Sequence, residues 1–298
     1  MDKAQLNRKG LSVLKLIAID LDGTLLSENG TISEANKEAI LEVQKQGDIV
    51  AISSGRALPD VEAILRPTGI DCPIMTGNGA VSYYKGQEIQ RFSIPTHVVE
   101  EVVAILEKSE VHYELYTAQG IFNRLGGREL LREEIGQLAE ELTGWAGEML
   151  HHYLDHRYDL NETLSMTANR TPDIAHLNVY KLLVLSLDDS KLNQLREVFT
   201  GREDLYLTSS GRVNLELGHP DAGKGSALQF MANYLDIPLE NTVAIGDNYN
   251  DVTMFEVAGT SIAMGNAEEQ LKEMSTHVTK HHNEDGVAYA LRTYILQK

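Results

Sequence analysis

The acidic residues best placed for chemistry sit where apolar runs of this 298-residue chain stop. Val13 to Ile19 is almost continuously apolar and ends at Asp20-Leu21-Asp22-Gly23-Thr24. Ile49 to Ile52 ends in Ser53-Ser54-Gly55-Arg56, and Val243 to Ile245 ends in Gly246-Asp247-Asn248-Tyr249-Asn250-Asp251. Lys224 lies between Gly223 and Gly225 at the start of an expected helix. Open α/β sheets bind ligands at the carboxyl ends of their strands, near the point where strand order reverses. Gathered at one such edge, these segments supply at least three carboxylates, a hydroxyl and an ammonium. Clustered carboxylates repel, and a divalent cation is the usual remedy; all-oxygen ligands with room for water and phosphate favour Mg²⁺. Lys224 and the backbone N–H groups around Gly23 and Gly55 suit an anion. That combination fits phosphoryl transfer, with metal and cation on the phosphate oxygens while a carboxylate attacks.

The elements around these residues explain how they come together. The Val13–Ile19 run reads as a strand buried on both faces of a parallel sheet. Ser33 caps a helix with Ala35, Ala39, Ile40 and Val43 at helical spacing, and Gly47 closes it. The Ile49–Ile52 strand completes a βαβ unit whose crossover is expected to be right-handed. Pro73 to Thr76 reads as a third strand leading into Gly77-Asn78-Gly79-Ala80. Val81 to Ile94 alternates as a hairpin around Lys85-Gly86. From about Thr96 to Arg212 the pattern changes to amphipathic helices (Val98–Leu106, Leu130–Leu142, Leu192–Phe199) and strands such as Lys181–Leu187, an α+β module. The βα alternation is expected to resume with Val213–Leu217. A helix from Ser226 to Tyr234, strands at Val243–Ile245 and Ser261–Ala263, and a last helix near Val287–Ile295 follow. The expected fold is α/β: a Rossmann-like doubly wound parallel-sheet core, residues 1–94 and 213–298, interrupted by an α+β cap, residues 95–212.

Asp20-Leu21-Asp22-Gly23-Thr24 matches the DxDGT signature of haloacid dehalogenase-like phosphatases. Ser54, Lys224 and Gly246 to Asp251 match the second, third and fourth motifs of that family, in order. Asn78-Gly79-Ala80, Lys224-Gly225-Ser226-Ala227-Leu228, Ala263-Met264-Gly265-Asn266-Ala267 and Asn283-Glu284-Asp285-Gly286-Val287 resemble segments of its Cof-type subfamily. The resemblance covers both halves of the core; the cap resembles the family only in length and position. It implies that Asp20 is the nucleophile that forms an aspartyl-phosphate. Asp22 would protonate the leaving alkoxide and then activate water. Ser54 and Lys224 would hold phosphoryl oxygens, and Asn250 would face the phosphate. The implied metal set is Asp20, Asp22 (through its backbone carbonyl), Asp247 and Asp251, the last orienting the shell around Mg²⁺. Ser54 replaces the threonine common in the family and keeps the hydroxyl. Met1 to Gly10 extends beyond the usual start. A cap of this kind closes over the site, excludes water and chooses the substrate; Tyr116, Arg124 and His151 are candidate substrate contacts.

Composition narrows the partners. With 26 Lys and Arg against 44 Asp and Glu, the formal charge is −18, which repels nucleic-acid phosphates and anionic lipid heads. No apolar run approaches the ~20 residues of a membrane span. Met1 to Leu14 lacks the order of a secretory signal and is expected to be retained. The lone cysteine, Cys72, excludes an internal disulfide framework and reads as packing. Gly218 to Gly225 nearly spells a P-loop, but Gly225 stands where the magnesium-binding Ser or Thr is required. His151, His152, Asp155 and His156 read as a solvated cap helix rather than a zinc site, and the sequon Asn161-Glu162-Thr163 carries no weight without a secretory signal. The expectation is a cytoplasmic, monomeric, Mg²⁺-dependent phosphatase of a small phosphomonoester, with no nucleic-acid or membrane partner. Two other readings use the same residues. A phosphotransferase or mutase would pass the phosphoryl group to a sugar; phosphate release without any acceptor favours hydrolysis over it. A metal- and phosphate-binding regulator would lack turnover, against which the intact acidic residues of all four motifs argue.

Overall fold

The computed structural model describes residues 14–138 and 174–296. The chain divides into two units, Met1–Gln90 with Gly223–Lys298 and, between them, Arg91–Ala222.

In the first unit, β1 (Leu16–Ile19) leads through α1 (Glu34–Gln46) to β2 (Ile49–Ser53), then through α2 (Leu58–Leu65) to β3 (Ile74–Thr76), β4 (Val81–Tyr84) and β5 (Gln87–Arg91). Ser33 caps α1, its Oγ accepting the Asn36 N–H at 3.1 Å, and Gly47 ends the helix at φ 103°, as the sequence predicts. Lys85 and Gly86 both have positive φ, the requirement of a two-residue type I′ hairpin turn.

The second unit holds α3 (Thr96–Lys108), β6 (His112–Thr117), β7 (Gly120–Asn123), α4 (Gly127–Leu138), β8 (Lys181–Leu185), α5 (Asp189–Phe199), β9 (Tyr206–Thr208) and β10 (Asn214–Gly218). Its sheet runs β7-β6-β8-β10-β9, and neighbouring strands are antiparallel throughout. One face, with Tyr113, Leu115, Leu182, Val184, Leu215 and Leu217, packs against Val98, Val102 and Leu106 of α3 and Leu192, Leu195 and Phe199 of α5. Side chains of the other register carry polar groups: Lys181 Nζ lies 2.6 Å from Glu216 Oε2 and 4.6 Å from the centre of the Tyr116 ring.

The strand expected to resume the core at Val213–Leu217 belongs instead to this second sheet, where Glu216 pairs with Leu183 and Thr208. Its own pattern explains why. Asn214, Glu216 and Gly218 alternate with Leu215 and Leu217, which is the period of a strand with one apolar face rather than of a parallel strand buried on both. At the other junction β5 stops at Arg91, and Ile94 already packs in the second unit, its N–H donating to the Val179 carbonyl at 2.8 Å.

The first unit resumes with α6 (Lys224–Tyr234), β11 (Thr242–Gly246), α7 (Val252–Val257), β12 (Thr260–Ala263), α8 (Glu269–Met274), β13 (His277–Val278) and α9 (Gly286–Ala290). The sheet order is β13-β12-β11-β1-β2-β3-β4-β5. β1 is central, parallel to β2 on one side and β11 on the other. All four of its residues are fully buried, and truncating one such as Ile17 to alanine costs about 2–5 kcal/mol. The chain proceeds outward from β1 through β2 and β3, then returns to the opposite side through β11 and β12. The reversal therefore lies between β1 and β11, whose carboxyl ends carry Asp20 and Asp247.

Candidate active site

Asp20 leaves β1 with its N–H still donating to Ile245 O at 3.0 Å, so the nucleophile candidate is anchored by the last rung of the ladder. The chain then turns sharply: Asp22 (φ −77°, ψ 121°) and Gly23 (φ 75°, ψ 0°) have the dihedrals of a type II turn. Gly23 is required twice, for its positive φ and because a Cβ there would collide with the Asp247 carboxylate. The following Thr24 is buried, and its Oγ1 donates to Asp247 Oδ1 at 2.9 Å.

At the end of β11, Asp251 folds back and its Oδ2 accepts the N–H groups of Asp247 and Asn248 at 2.9 and 3.1 Å. Lys224, the first residue of α6, is fully buried. Its Nζ lies 2.6 Å from Asp20 Oδ1 and 2.5 Å from Asp251 Oδ1. Asp20, Asp247 and Asp251 each place an oxygen within 4.8 Å of the others. Three buried carboxylates thus cluster together, and one buried ammonium pairs with two of them, Asp20 and Asp251.

The electrostatics follow from that imbalance. Burial opposes the charge on Lys224, but Asp20 and Asp251 outweigh it and hold the ammonium well above the usual lysine range. Burial raises Asp20 well above the ordinary carboxylate range; Lys224 pulls it down, while Asp251, Asp247 and Asp22 push it up again. Burial, with Asp251 beside it, pushes Asp247 up to about 7. One ammonium does not satisfy three carboxylates, and the unbalanced charge is what a divalent cation would neutralise. The donor set, all oxygen and all buried, fits Mg²⁺.

Ser54 is buried beyond the end of β2, where its Oγ accepts the Arg56 N–H at 3.1 Å. Asn250 is also buried, and its Nδ2 donates to Asn78 Oδ1 at 3.3 Å. Asn78, at φ 57°, in turn donates its N–H to the Ser54 carbonyl at 3.1 Å. The two expected phosphate-facing residues Ser54 and Asn250 are thereby linked through Asn78. Asp22 differs from the other acids. Its side chain is 58% exposed and paired with Arg56, and its carboxylate is not in the group formed by Asp20, Asp247 and Asp251. Any contribution of Asp22 to the metal set falls to its backbone, as the motif resemblance implies.

Four supporting residues were not expected from the sequence in these roles: Thr24, Asn78, Arg56 and Asn266. Asn266 donates from Nδ2 to Gly23 O at 2.8 Å and lies 3.5 Å from Asp247 Oδ2. The motif segments containing Asn78 and Asn266 marked the neighbourhood; their partners are far away in sequence.

A sequence model of haloacid dehalogenase-like hydrolases matches residues 17–291. The chain belongs to that family. A haloacid dehalogenase-like hydrolase of Bacillus subtilis has a solved structure that superposes with a TM-score of 0.81 at 33% identity, covering 95% of this chain and 100% of that one. The expected architecture, an α/β core with a parallel sheet and an inserted α+β cap, is the fold of this family. Phosphatase YwpJ of Bacillus subtilis is 34% identical over 287 residues, 94% of this chain and 99% of that protein. The 5-amino-6-(5-phospho-D-ribitylamino)uracil phosphatase YwtE of the same organism is 36% identical over 292 residues, covering 93% and 96%.

The candidate substrate contacts lie in the second unit of this hydrolase. Tyr116 is fully buried beneath Lys181, and the Arg124 guanidinium is engaged by Glu107 Oε2 at 2.7 and 3.0 Å. His151, with His152, Asp155 and His156, falls outside the described residues, as do the Asn161 sequon and Met1 to Gly10. Among the described residues no helix is long and apolar enough to cross a membrane.

Proposed function

We propose that the chain is a Mg²⁺-dependent phosphatase that hydrolyses small phosphorylated metabolites through a covalent phosphate on Asp20. The observation that carries this reading is the buried Lys224 ammonium held between Asp20 and Asp251 beside Asp247, at the strand-order reversal of a parallel sheet. Asp20, the Asp22 carbonyl and Asp247 would hold the metal, with Asp251 orienting them. When bound, Mg²⁺ supplies charge neutralisation and polarisation of the phosphoryl oxygens.

In the first step an Asp20 oxygen bonds to phosphorus, the bond from phosphorus to the leaving-group oxygen breaks, and that oxygen takes the proton of Asp22. In the second step water bonds to phosphorus and gives its proton to Asp22, and the bond between phosphorus and Asp20 breaks, restoring both acids. Ser54 and Lys224 hold phosphoryl oxygens throughout, and Asn250 faces them. The likeness to YwtE makes a phosphorylated polyol, such as 5-amino-6-(5-phospho-D-ribitylamino)uracil, the first metabolite to try. We assign the choice among such compounds to the Arg91–Ala222 unit.

The test is phosphate release from p-nitrophenyl phosphate with Mg²⁺ and with EDTA, beside Asp20→Asn. Release that needs Mg²⁺ and disappears in the variant is expected. Release that persists in Asp20→Asn rejects the mechanism.

A further inference from the structure

Arg56 is given no part in the chemistry above, yet it grips the carboxylate on which both proton transfers depend. Its Nε donates to Asp22 Oδ2 at 2.8 Å and its Nη2 to Asp22 Oδ1 at 2.6 Å. Two parallel bonds from a planar guanidinium set direction as well as distance, which a lysine ammonium does not.

The backbone carrying this fork is itself fixed. The Arg56 N–H donates to Ser54 Oγ, and the Arg56 carbonyl accepts the Gly77 N–H, both at 3.1 Å. Asp22 occupies the first central position of the turn whose second is Gly23. The Ser54 hydroxyl and the Asp22 carboxylate are therefore joined through one short loop and one fork, all within Met1–Gln90. Solvent-accessible ion pairs contribute little to folding, and here Arg56 is half-buried, at 34%, and Asp22 exposed, at 58%. What the fork does provide is orientation of a side chain that otherwise samples several rotamers.

We propose that Arg56 is a positioning residue for the acid–base step, holding the Asp22 carboxylate in one orientation relative to the loop that carries Ser54. The inference rests on the phosphatase reading. After the leaving-group oxygen takes the Asp22 proton, the carboxylate left behind is the form whose two oxygens the fork engages. When the attacking water then yields its proton to one of those oxygens, the corresponding N–H···O bond loosens. Arg56 exchanges no proton in either step.

Two aryl phosphates test this, because p-nitrophenolate leaves readily without a proton and phenolate does so far less readily. In kcat/KM, Arg56→Ala should lose at least about tenfold more on phenyl phosphate than on p-nitrophenyl phosphate. Arg56→Lys keeps the charge without the fork and should show the same bias. The bias should not grow when Asp22→Asn is combined with Arg56→Ala, since the two residues act as one unit. Equal losses on both compounds would make Arg56 a phosphate ligand and overturn the proposal. So would a lost thermal transition in Arg56→Ala, which would make it structural, or recovery of the wild-type ratio in Arg56→Lys. If the wild type releases phosphate from neither aryl compound nor from 5-amino-6-(5-phospho-D-ribitylamino)uracil, the phosphatase reading falls and takes this inference with it.

Discussion

Lys224 Nζ lies 2.6 Å from Asp20 Oδ1, a contact between residues 204 positions apart and sealed from solvent. The salt bridge joins the two halves of the first unit across the sequence that interrupts it. Removing one partner of a buried pair leaves the other charge uncompensated, at about 3–5 kcal/mol. Lys224→Met should therefore lower the melting temperature markedly and abolish phosphate release. Added Mg²⁺ should restore part of the lost stability, because a ligand bound only by the folded state stabilises it. Differential scanning calorimetry with and without the metal checks this. An unchanged melting temperature would mean that the ammonium does not neutralise the cluster.

Gly23 and Gly30 separate backbone strain from collision. Both have φ near 74°, at 75° and 73°, but only at Gly23 would a Cβ meet the Asp247 carboxylate, while at Gly30 nothing lies within 4 Å. Gly30→Ala should cost about 1 kcal/mol from strain alone and leave Mg²⁺ binding intact. Gly23→Ala should cost more and weaken Mg²⁺ binding measured by calorimetric titration. Equal metal affinity in the two variants would contradict the close approach.

Burial, reinforced by the neighbouring Asp71, pushes the Cys72 thiol up to about 12. Only the thiolate reacts, so at pH 8 about one thiol in ten thousand is reactive. Iodoacetamide should label the native protein far more slowly than the urea-unfolded one, and the native rate should keep rising with pH well past the ordinary thiol range. Rapid native labelling at pH 8 would refute this.

In the second unit Arg124, with Tyr113 assisting, holds the Glu107 carboxyl below the usual range. A lowered carboxyl contributes stability that is complete above the ordinary glutamate value and lost as pH falls through the lowered one. The pair is partly exposed, Glu107 at 46%, so solvent screening limits it to under about 1 kcal/mol. Glu107→Gln should lower the melting temperature by about 1–2 °C at pH 7. That difference should close on acidification, and a gap that widens in acid would mean that the Glu107 carboxyl is not held below its usual range.

How much was legible depended on whether the signal was local. The buried run before Asp20, the Ser33 cap and the Lys85-Gly86 turn each announce themselves within a few residues, and the structure contains them all. The acids at strand ends were legible for the same reason, since a strand that stops at a carboxylate is a local pattern. The position of β10 after the insertion suggests the core, while its alternation, the better guide, matches the second sheet, where it pairs. Arg56 and Asn78 were hidden differently. Their partners, Asp22 and Asn250, lie 34 and 172 positions away, and no periodicity encodes a contact formed only once the sheet is assembled.

A covalent phosphate on Asp20 can be trapped directly. The enzyme turning over p-nitrophenyl phosphate with Mg²⁺ is quenched in acid, reduced with borohydride and mapped by peptide mass spectrometry. Reduction of the Asp20 side chain to the alcohol is expected, dependent on substrate and absent in Asp20→Asn. Phosphate release accompanied by a modification at any other residue, or by none, would contradict it.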